Sequence, residues 1–162
     1  MSERFRDPGT SWYDLLADEI LMRCPRCDGR ASVLPLPGGT ESGIFAPRRL
    51  LCPACGYVRG WEGDRVGRYD EPTDPYFRLP LWLRSPCCGQ TLWAYGRRHL
   101  DLLEEHVAAR RRERPLPADT PGGNRGRPRT LVQSLPGWIT SAKHREEILR
   151  AVARLRATLD VP

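Results

Sequence analysis

The sequence of 162 residues lacks several features that would assign it to a common class. No apolar run approaches the roughly 18 residues that a membrane span needs. The N-terminal stretch MSERFRDPGTSWYD has neither the basic start nor the apolar segment of a secretory signal. A glycine-rich phosphate loop ending in lysine is also missing. We therefore expect a cytoplasmic protein with no membrane partner and no small-molecule substrate.

Lysine is almost absent, because Lys143 is the only one among 26 basic residues. Such an arginine bias is typical of a GC-rich genome and needs no functional cause. The placement of charge is more informative. Residues 97–162 carry fourteen basic and eight acidic side chains. The excess of six basic side chains equals the net charge of +6 of the whole chain. A basic C-terminal part favours an anionic partner such as nucleic acid.

Residues typical of catalysis are also missing. His99, His106 and His144 have no serine, cysteine or carboxylate around them in the pattern of a catalytic triad. We therefore expect no catalytic residues and no enzyme activity.

Two Cys-x-x-Cys pairs carry the clearest signal in the chain. They are CPRC at Cys24 and Cys27 and CPAC at Cys52 and Cys55, with 24 residues between them. Two tight turns placed face to face supply the four thiolates that a tetrahedral zinc ion prefers. A thioredoxin-like redox pair is disfavoured, because Asp28-Gly29 would break the helix that such a pair begins. Four thiolates close the coordination sphere, so we expect one structural zinc ion.

This arrangement resembles a zinc ribbon, a module of transcription factors, polymerase subunits, ribosomal proteins and many small bacterial proteins. The resemblance covers roughly residues 22–61, a quarter of the chain. It implies two cysteine loops on hairpins of a small antiparallel sheet.

The other two cysteines are adjacent, in SPCCG at Cys87 and Cys88. Aligned with CPACG, this stretch predicts a turn of the same shape with Ser85 in place of the first ligand. A second metal site with His99 and His106 is disfavoured, because seven residues on a helix separate these side chains by about 10 Å. A plain hairpin turn and a redox or regulatory thiol both stay open.

The predicted fold is a small α+β structure: a four-cysteine zinc ribbon plus a second β-hairpin, packed with three α-helices. Ser11 and Asp14 predict a capping box for a first helix within residues 10–21, with Ile20 on its apolar face. Two aromatic segments at 76–85 and 90–96 predict a hairpin with a turn of about four residues, and an apolar stripe predicts the last helix over 141–160. The predicted divisions are a disordered N-terminus at 1–10, the helix, ribbon and hairpin at 11–96, a basic helix at 97–114, a linker at 115–130 and a C-terminal helical segment at 131–162.

The linker contains Arg125-Gly126-Arg127-Pro128, which looks like the core of an AT-hook. In that motif an extended backbone lies in the narrow minor groove of A·T-rich DNA and arginines reach inward. A solvated linker is the alternative. The candidate nucleic-acid contacts are Arg110, Arg111, Arg112, Arg114, Arg125, Arg127 and Arg129.

These observations predict a non-enzymatic structural-zinc protein of bacterial type. We expect it to bind nucleic acid or a nucleoprotein complex of transcription or translation. The alternative is a protein–protein adaptor with a structural zinc ribbon and no direct nucleic-acid contact.

Overall fold

The structure is a computed structural model that describes residues 4–37, 43–69, 71–109, 111–112 and 129–161. It confirms the α+β class, with a four-stranded antiparallel sheet, a separate two-stranded hairpin and four α-helices. The elements in chain order are β1 (Arg4–Phe5), α1 (Trp12–Ala17), β2 (Ile20–Arg23), β3 (Arg30–Pro35), β4 (Arg48–Leu51), β5 (Val58–Trp61), β6 (Leu83–Cys87), β7 (Gln90–Ala94), α2 (Arg97–Ala108), β8 (Arg111–Arg112), α3 (Gly137–Thr140) and α4 (Arg145–Ala157).

The first helix has the predicted capping box. The Asp14 side chain accepts a hydrogen bond from the Ser11 N–H at 2.7 Å, and the Ser11 hydroxyl accepts one from the Asp14 N–H at 3.3 Å. The helix ends at Ala17, earlier than predicted. Ile20 instead begins β2, because residues 20–23 pair with residues 30–33 of β3.

Strand β2 joins two hydrophobic cores. Ile20 and Met22 pack into the core of the four-stranded sheet, whose strand order is β2-β3-β4-β5. Leu21 points to the opposite face and belongs to the core formed by the β6–β7 hairpin and the helices α2, α3 and α4. A strand buried on both faces reads as a continuous apolar run, which explains why the sequence pattern did not mark it as a strand.

The second hairpin is present, but its first strand is shorter than predicted. It begins at Leu83 rather than at residue 76, and residues 74–79 form a loop instead. Its turn has two residues, Cys88 and Gly89, with φ angles of 53° and 72°. A two-residue turn with both residues in the left-handed region matches the twist of the flanking strands.

The chain after the hairpin also differs from the prediction. Helix α2 ends at Ala108 rather than at residue 114, and Arg111–Arg112 pair in parallel with Arg4–Phe5. After Ala109 the sequence continues with arginine and glutamate up to Arg114, so no apolar residue continues the buried stripe of the helix. Arg4–Phe5, inside the segment predicted to be disordered over 1–10, form β1, and the buried Phe5 ring packs edge-on against that of His106.

Helix α4 packs against α2 and β6, which closes the second core. Its predicted stripe of Ile148, Val152, Leu155 and Leu159 is buried, although the helix begins at Arg145 after a short 3₁₀ turn. Arg156 forms ion pairs with Asp101 and Glu104 across the two helices. Within the described ranges, no helix combines the length and apolarity that crossing a bilayer requires.

Candidate metal centre

The two cysteine pairs lie on loops of the same shape, residues 24–29 between β2 and β3 and residues 52–57 between β4 and β5. In each loop the N–H of the first cysteine donates to the carbonyl five residues later, at 2.8 Å for Cys24 and 2.9 Å for Cys52. Its own carbonyl accepts from the N–H four residues later, at 2.9 and 2.8 Å. The fifth residue is left-handed in both, Asp28 with φ 61° and Gly56 with φ 74°. These are the tight turns that the spacing predicted.

The fold brings all four predicted ligands together. The Sγ atoms of Cys24 and Cys55 are 3.7 Å apart, those of Cys27 and Cys52 are 3.6 Å apart, and all four lie within 4.8 Å of one another. A tetrahedral zinc ion with Zn–S bonds of about 2.3 Å has sulfur–sulfur edges of about 3.8 Å. The group, which we call the four-cysteine cluster, therefore has the dimensions and the donor atoms of a closed, structural metal site.

Backbone amides stabilise negative charge on these sulfurs. The N–H groups of Arg26 and Gly29 donate to Cys24 Sγ and Cys27 Sγ, both at 3.4 Å. Burial opposes ionisation of Cys24, but amide and thiol hydrogen bonds outweigh it and lower the pKa of Cys24 to about 7. At Cys27 the Gly29 amide favours the thiolate, but the Cys52 and Cys55 thiols outweigh it and raise the pKa to about 12. Four adjacent thiolates repel one another, so a bound cation relieves this repulsion.

A third loop, residues 74–79, has the same backbone pattern without any cysteine. The Asp74 N–H donates to Leu79 O at 2.9 Å, and its carbonyl accepts from the Arg78 N–H at 3.2 Å. Arg78 is left-handed, with φ 61°. The Asp74 carboxylate accepts from the amides of Tyr76, Phe77 and Leu79 at 2.9, 2.7 and 2.7 Å. We call this segment the aspartate loop; its carboxylate accepts from the amides at the third and sixth positions, as the sulfurs of Cys24 and Cys27 do in the first cysteine loop.

This finding corrects the interpretation of SPCCG. From its alignment with CPACG, SPCCG was predicted to form a third loop with the shape of the two cysteine loops. In the structure SPCCG is a strand end and a two-residue turn, whereas Asp74-Pro75 takes the place of Cys-Pro in the extra loop. The sequence feature that the aspartate loop shares with the two cysteine loops is a proline directly after the first residue: Pro25, Pro53 and Pro75.

The two cysteine loops lie at one end of the sheet, whereas the aspartate loop packs across the sheet, with the Tyr76 ring against Trp61 and the Arg48 guanidinium. The Arg23 N–H donates to Pro80 O at 2.9 Å, and Met22 pairs antiparallel with Leu81, so the segment after the aspartate loop lies beside the end of β2. The Arg59 guanidinium, which follows the second cysteine loop, lies 5.5 Å from the centre of the Phe77 ring. We call three exposed arginines in or next to these loops the loop-end arginines: Arg26, Arg59 and Arg78.

The structure also forms a cluster that the sequence did not predict. Cys87 Sγ, Cys88 Sγ and a Glu147 carboxylate oxygen lie within 4.8 Å of one another. Helix α4 supplies Glu147, and the Cys88 N–H donates to its Oε1 at 2.8 Å. His99 and His106 are both buried on α2 and are not part of this cluster. No sequence spacing signals Glu147, because 59 residues separate it from Cys88.

The predicted nucleic-acid contacts are only partly described. Arg111 and Arg112 form β8, which is a strand rather than the end of a helix. Arg129 is exposed. Arg110, Arg114, Arg125 and Arg127, with most of the AT-hook-like stretch, lie outside the described residues.

Comparison with known proteins adds no assignment to this geometry. No protein-family model matches the chain, and neither the curated proteins nor the solved structures contain a match.

Proposed function

We propose that the protein is a non-enzymatic zinc protein that binds nucleic acid or a nucleoprotein complex. In this proposal Cys24, Cys27, Cys52 and Cys55 hold one zinc ion that keeps the two cysteine loops together. A closed set of four thiolates has no position for a reacting water, so the metal supports the scaffold and does no chemistry.

The observation that carries the proposal is the position of the loop-end arginines. Arg26 lies in the first cysteine loop, Arg59 follows the second cysteine loop and Arg78 lies in the aspartate loop, and all three side chains are exposed. Arg23, directly before Cys24, forms an ion pair with Asp28 at 3.1 Å. Exposed guanidinium groups on rigid loops suit contact with phosphates, because little side-chain entropy is lost for each bond formed. Arginines of the 110–129 region would add further phosphate contacts.

The test is a titration of the full chain with labelled DNA and RNA duplexes at several salt concentrations. Each phosphate contact contributes about 0.9 to the slope of log K against log salt for B-DNA. The triple substitution Arg26→Gln, Arg59→Gln and Arg78→Gln should therefore reduce this slope by about 2 to 3 and weaken binding to all sequences.

A charge-matched control replaces Arg84, Arg97 and Lys143, which are exposed on the hairpin and the helical half of the molecule. This control should keep most of the slope. A second variant, Arg125→Gln, Arg127→Gln and Arg129→Gln, tests the AT-hook-like stretch, which should prefer A·T-rich duplexes. Undetectable binding at about 50 mM salt would refute the proposal, because phosphate contacts are strongest there.

One observation favours the adaptor alternative. Leu34, Leu51 and Val58 are 42%, 41% and 55% exposed, and they share the open face of the four-stranded sheet with Arg49. Neighbouring exposed apolar side chains are typical of a protein contact. If this face is the functional one, a partner retained after nuclease treatment should be lost in the variant Leu51→Ser, Val58→Ser. The loop-end triple variant should retain that partner.

A further inference from the structure

The two adjacent cysteines lie where β6 passes into its turn. Cys87 ends the strand and Cys88 begins the turn, and their Sγ atoms are 3.7 Å apart. That distance equals the Cys24–Cys55 separation in the four-cysteine cluster. It also matches the edge of about 3.8 Å in a tetrahedral zinc–thiolate site. The pair is therefore already spaced to bind one metal ion.

The turn conformation of Cys88 is part of this geometry. Its φ of 53° places it in the left-handed region, where residues other than glycine, asparagine and aspartate are uncommon. Turns of this type prefer asparagine, aspartate or glycine at that position. Cysteine does not favour this backbone conformation. We therefore take the sulfur of Cys88, and not its backbone preference, as the reason for a cysteine in this turn.

Glu147 supplies a third donor from a distant part of the chain. It lies in the first turn of α4, and the hydrogen bond from the Cys88 amide holds its Oε1 at the hairpin turn. Its carboxylate is exposed, Cys87 is buried, and Cys88 lies between these extremes. The three donors thus form a shallow site that is buried at Cys87 and open to solvent at Glu147.

We propose that Cys87, Cys88 and Glu147 form a second metal site, which binds a thiophilic divalent cation such as Zn²⁺. Two thiols lose their protons to solvent on binding, so two thiolates and one carboxylate coordinate the cation. With three protein ligands the fourth coordination position stays open to water or to another ligand. The bound cation would link the β6–β7 turn to α4, unlike the cation of the closed four-cysteine cluster.

The surrounding charges suit such a complex. Two thiolates and a carboxylate exceed the charge of a divalent cation by one unit. Burial raises the pKa of Cys87, whereas Arg154 favours its thiolate and Arg150 favours the ionised form of Glu147. These two arginines compensate the remaining negative charge of the complex.

The test is a Co²⁺ titration of the full chain with zinc already bound at the four-cysteine cluster. Co²⁺ bound to thiolates gives a charge-transfer absorption whose intensity reports the number of sulfur ligands. We expect one further equivalent to bind, with about half the intensity of a four-thiolate site, and a release of two protons per cation in weakly buffered solution.

The variants separate a built site from chance proximity. Cys88→Asn suits the left-handed turn and should fold, yet it should abolish the second equivalent. Glu147→Gln should weaken Co²⁺ binding by about 10-fold or more, and Glu146→Gln, an exposed neighbour on the same helix, should bind as the wild type. The proposal is overturned if the wild type takes up no second equivalent or if Cys88→Asn still binds it. Unchanged binding by Glu147→Gln would equally overturn the three-ligand site.

Discussion

Replacing Asp74 by alanine should destabilise the protein by about 4 kcal/mol. The carboxylate is fully buried and accepts three backbone hydrogen bonds of 2.7 to 2.9 Å. Hydrogen bonds to a charged group contribute about 1.5 to 3 kcal/mol each, so three of them amount to at least about 4.5 kcal/mol. Removal of the buried carboxylate also removes its desolvation cost, which offsets part of this loss.

Urea or thermal unfolding of the zinc-loaded protein measures this effect. In a chain of this size each 1 kcal/mol lowers Tm by about 2 to 4 °C, so we expect a decrease of about 8 to 16 °C. Asp64→Ala, in the exposed connector before the loop, is the matched control and should change the stability by less than about 0.5 kcal/mol.

The stability of Asp74→Asn should lie between that of Asp74→Ala and that of the control Asp64→Ala. Its remaining oxygen can still accept from Tyr76 and Phe77, but its amide group faces the Leu79 N–H without accepting from it. If Asp74→Ala unfolds with the same midpoint as Asp64→Ala, the carboxylate does not hold the loop and the comparison with the cysteine loops fails.

Three further predictions concern the cysteines and a buried histidine. Cys52→Ser should lose the tightly bound zinc and unfold the ribbon, whereas Cys88→Ser should keep one tightly bound zinc; metal analysis after dialysis tests both. Cys88→Asn should raise the unfolding free energy by about 0.5 to 1 kcal/mol without added metal, because asparagine tolerates the left-handed turn; an unchanged or lower urea midpoint would contradict this. Burial lowers the pKa of His99 to about 3, so below its unfolded pKa of about 6.5 only the unfolded chain takes up the proton, and stability should fall by about 1.4 kcal/mol per pH unit between pH 6.5 and 3. His99→Gln should reduce this slope at constant zinc content, and an unchanged slope would assign it to other groups.

Local patterns predicted the parts of the fold that depend on neighbouring residues. The cysteine spacing predicted the two loops and their ligands, and Ser11 with Asp14 predicted the start of α1, since each depends on hydrogen bonds within a few residues.

Features that depend on distant contacts could not be predicted in this way. Ile20 continued a helical stripe in the sequence but forms a strand, because β3 offers pairing that a short helix end lacks. Residues 76–80 have aromatic side chains typical of strands, yet the buried Asp74 carboxylate holds their amides in a loop. Glu147 reaches the cysteine pair only through the packing of α4 on β6.

The aspartate loop has a consequence for the conditions under which this protein can be folded. Residues 74–79 contain no thiol that oxidants can modify and depend on no metal that a chelator can remove. The strand pairing of residues 80–81 with β2 starts from this loop and supports one side of the first cysteine loop. Zinc loss or thiol oxidation therefore acts directly on the two cysteine loops, whereas the hydrogen bonds of the aspartate loop involve neither a thiol nor a metal.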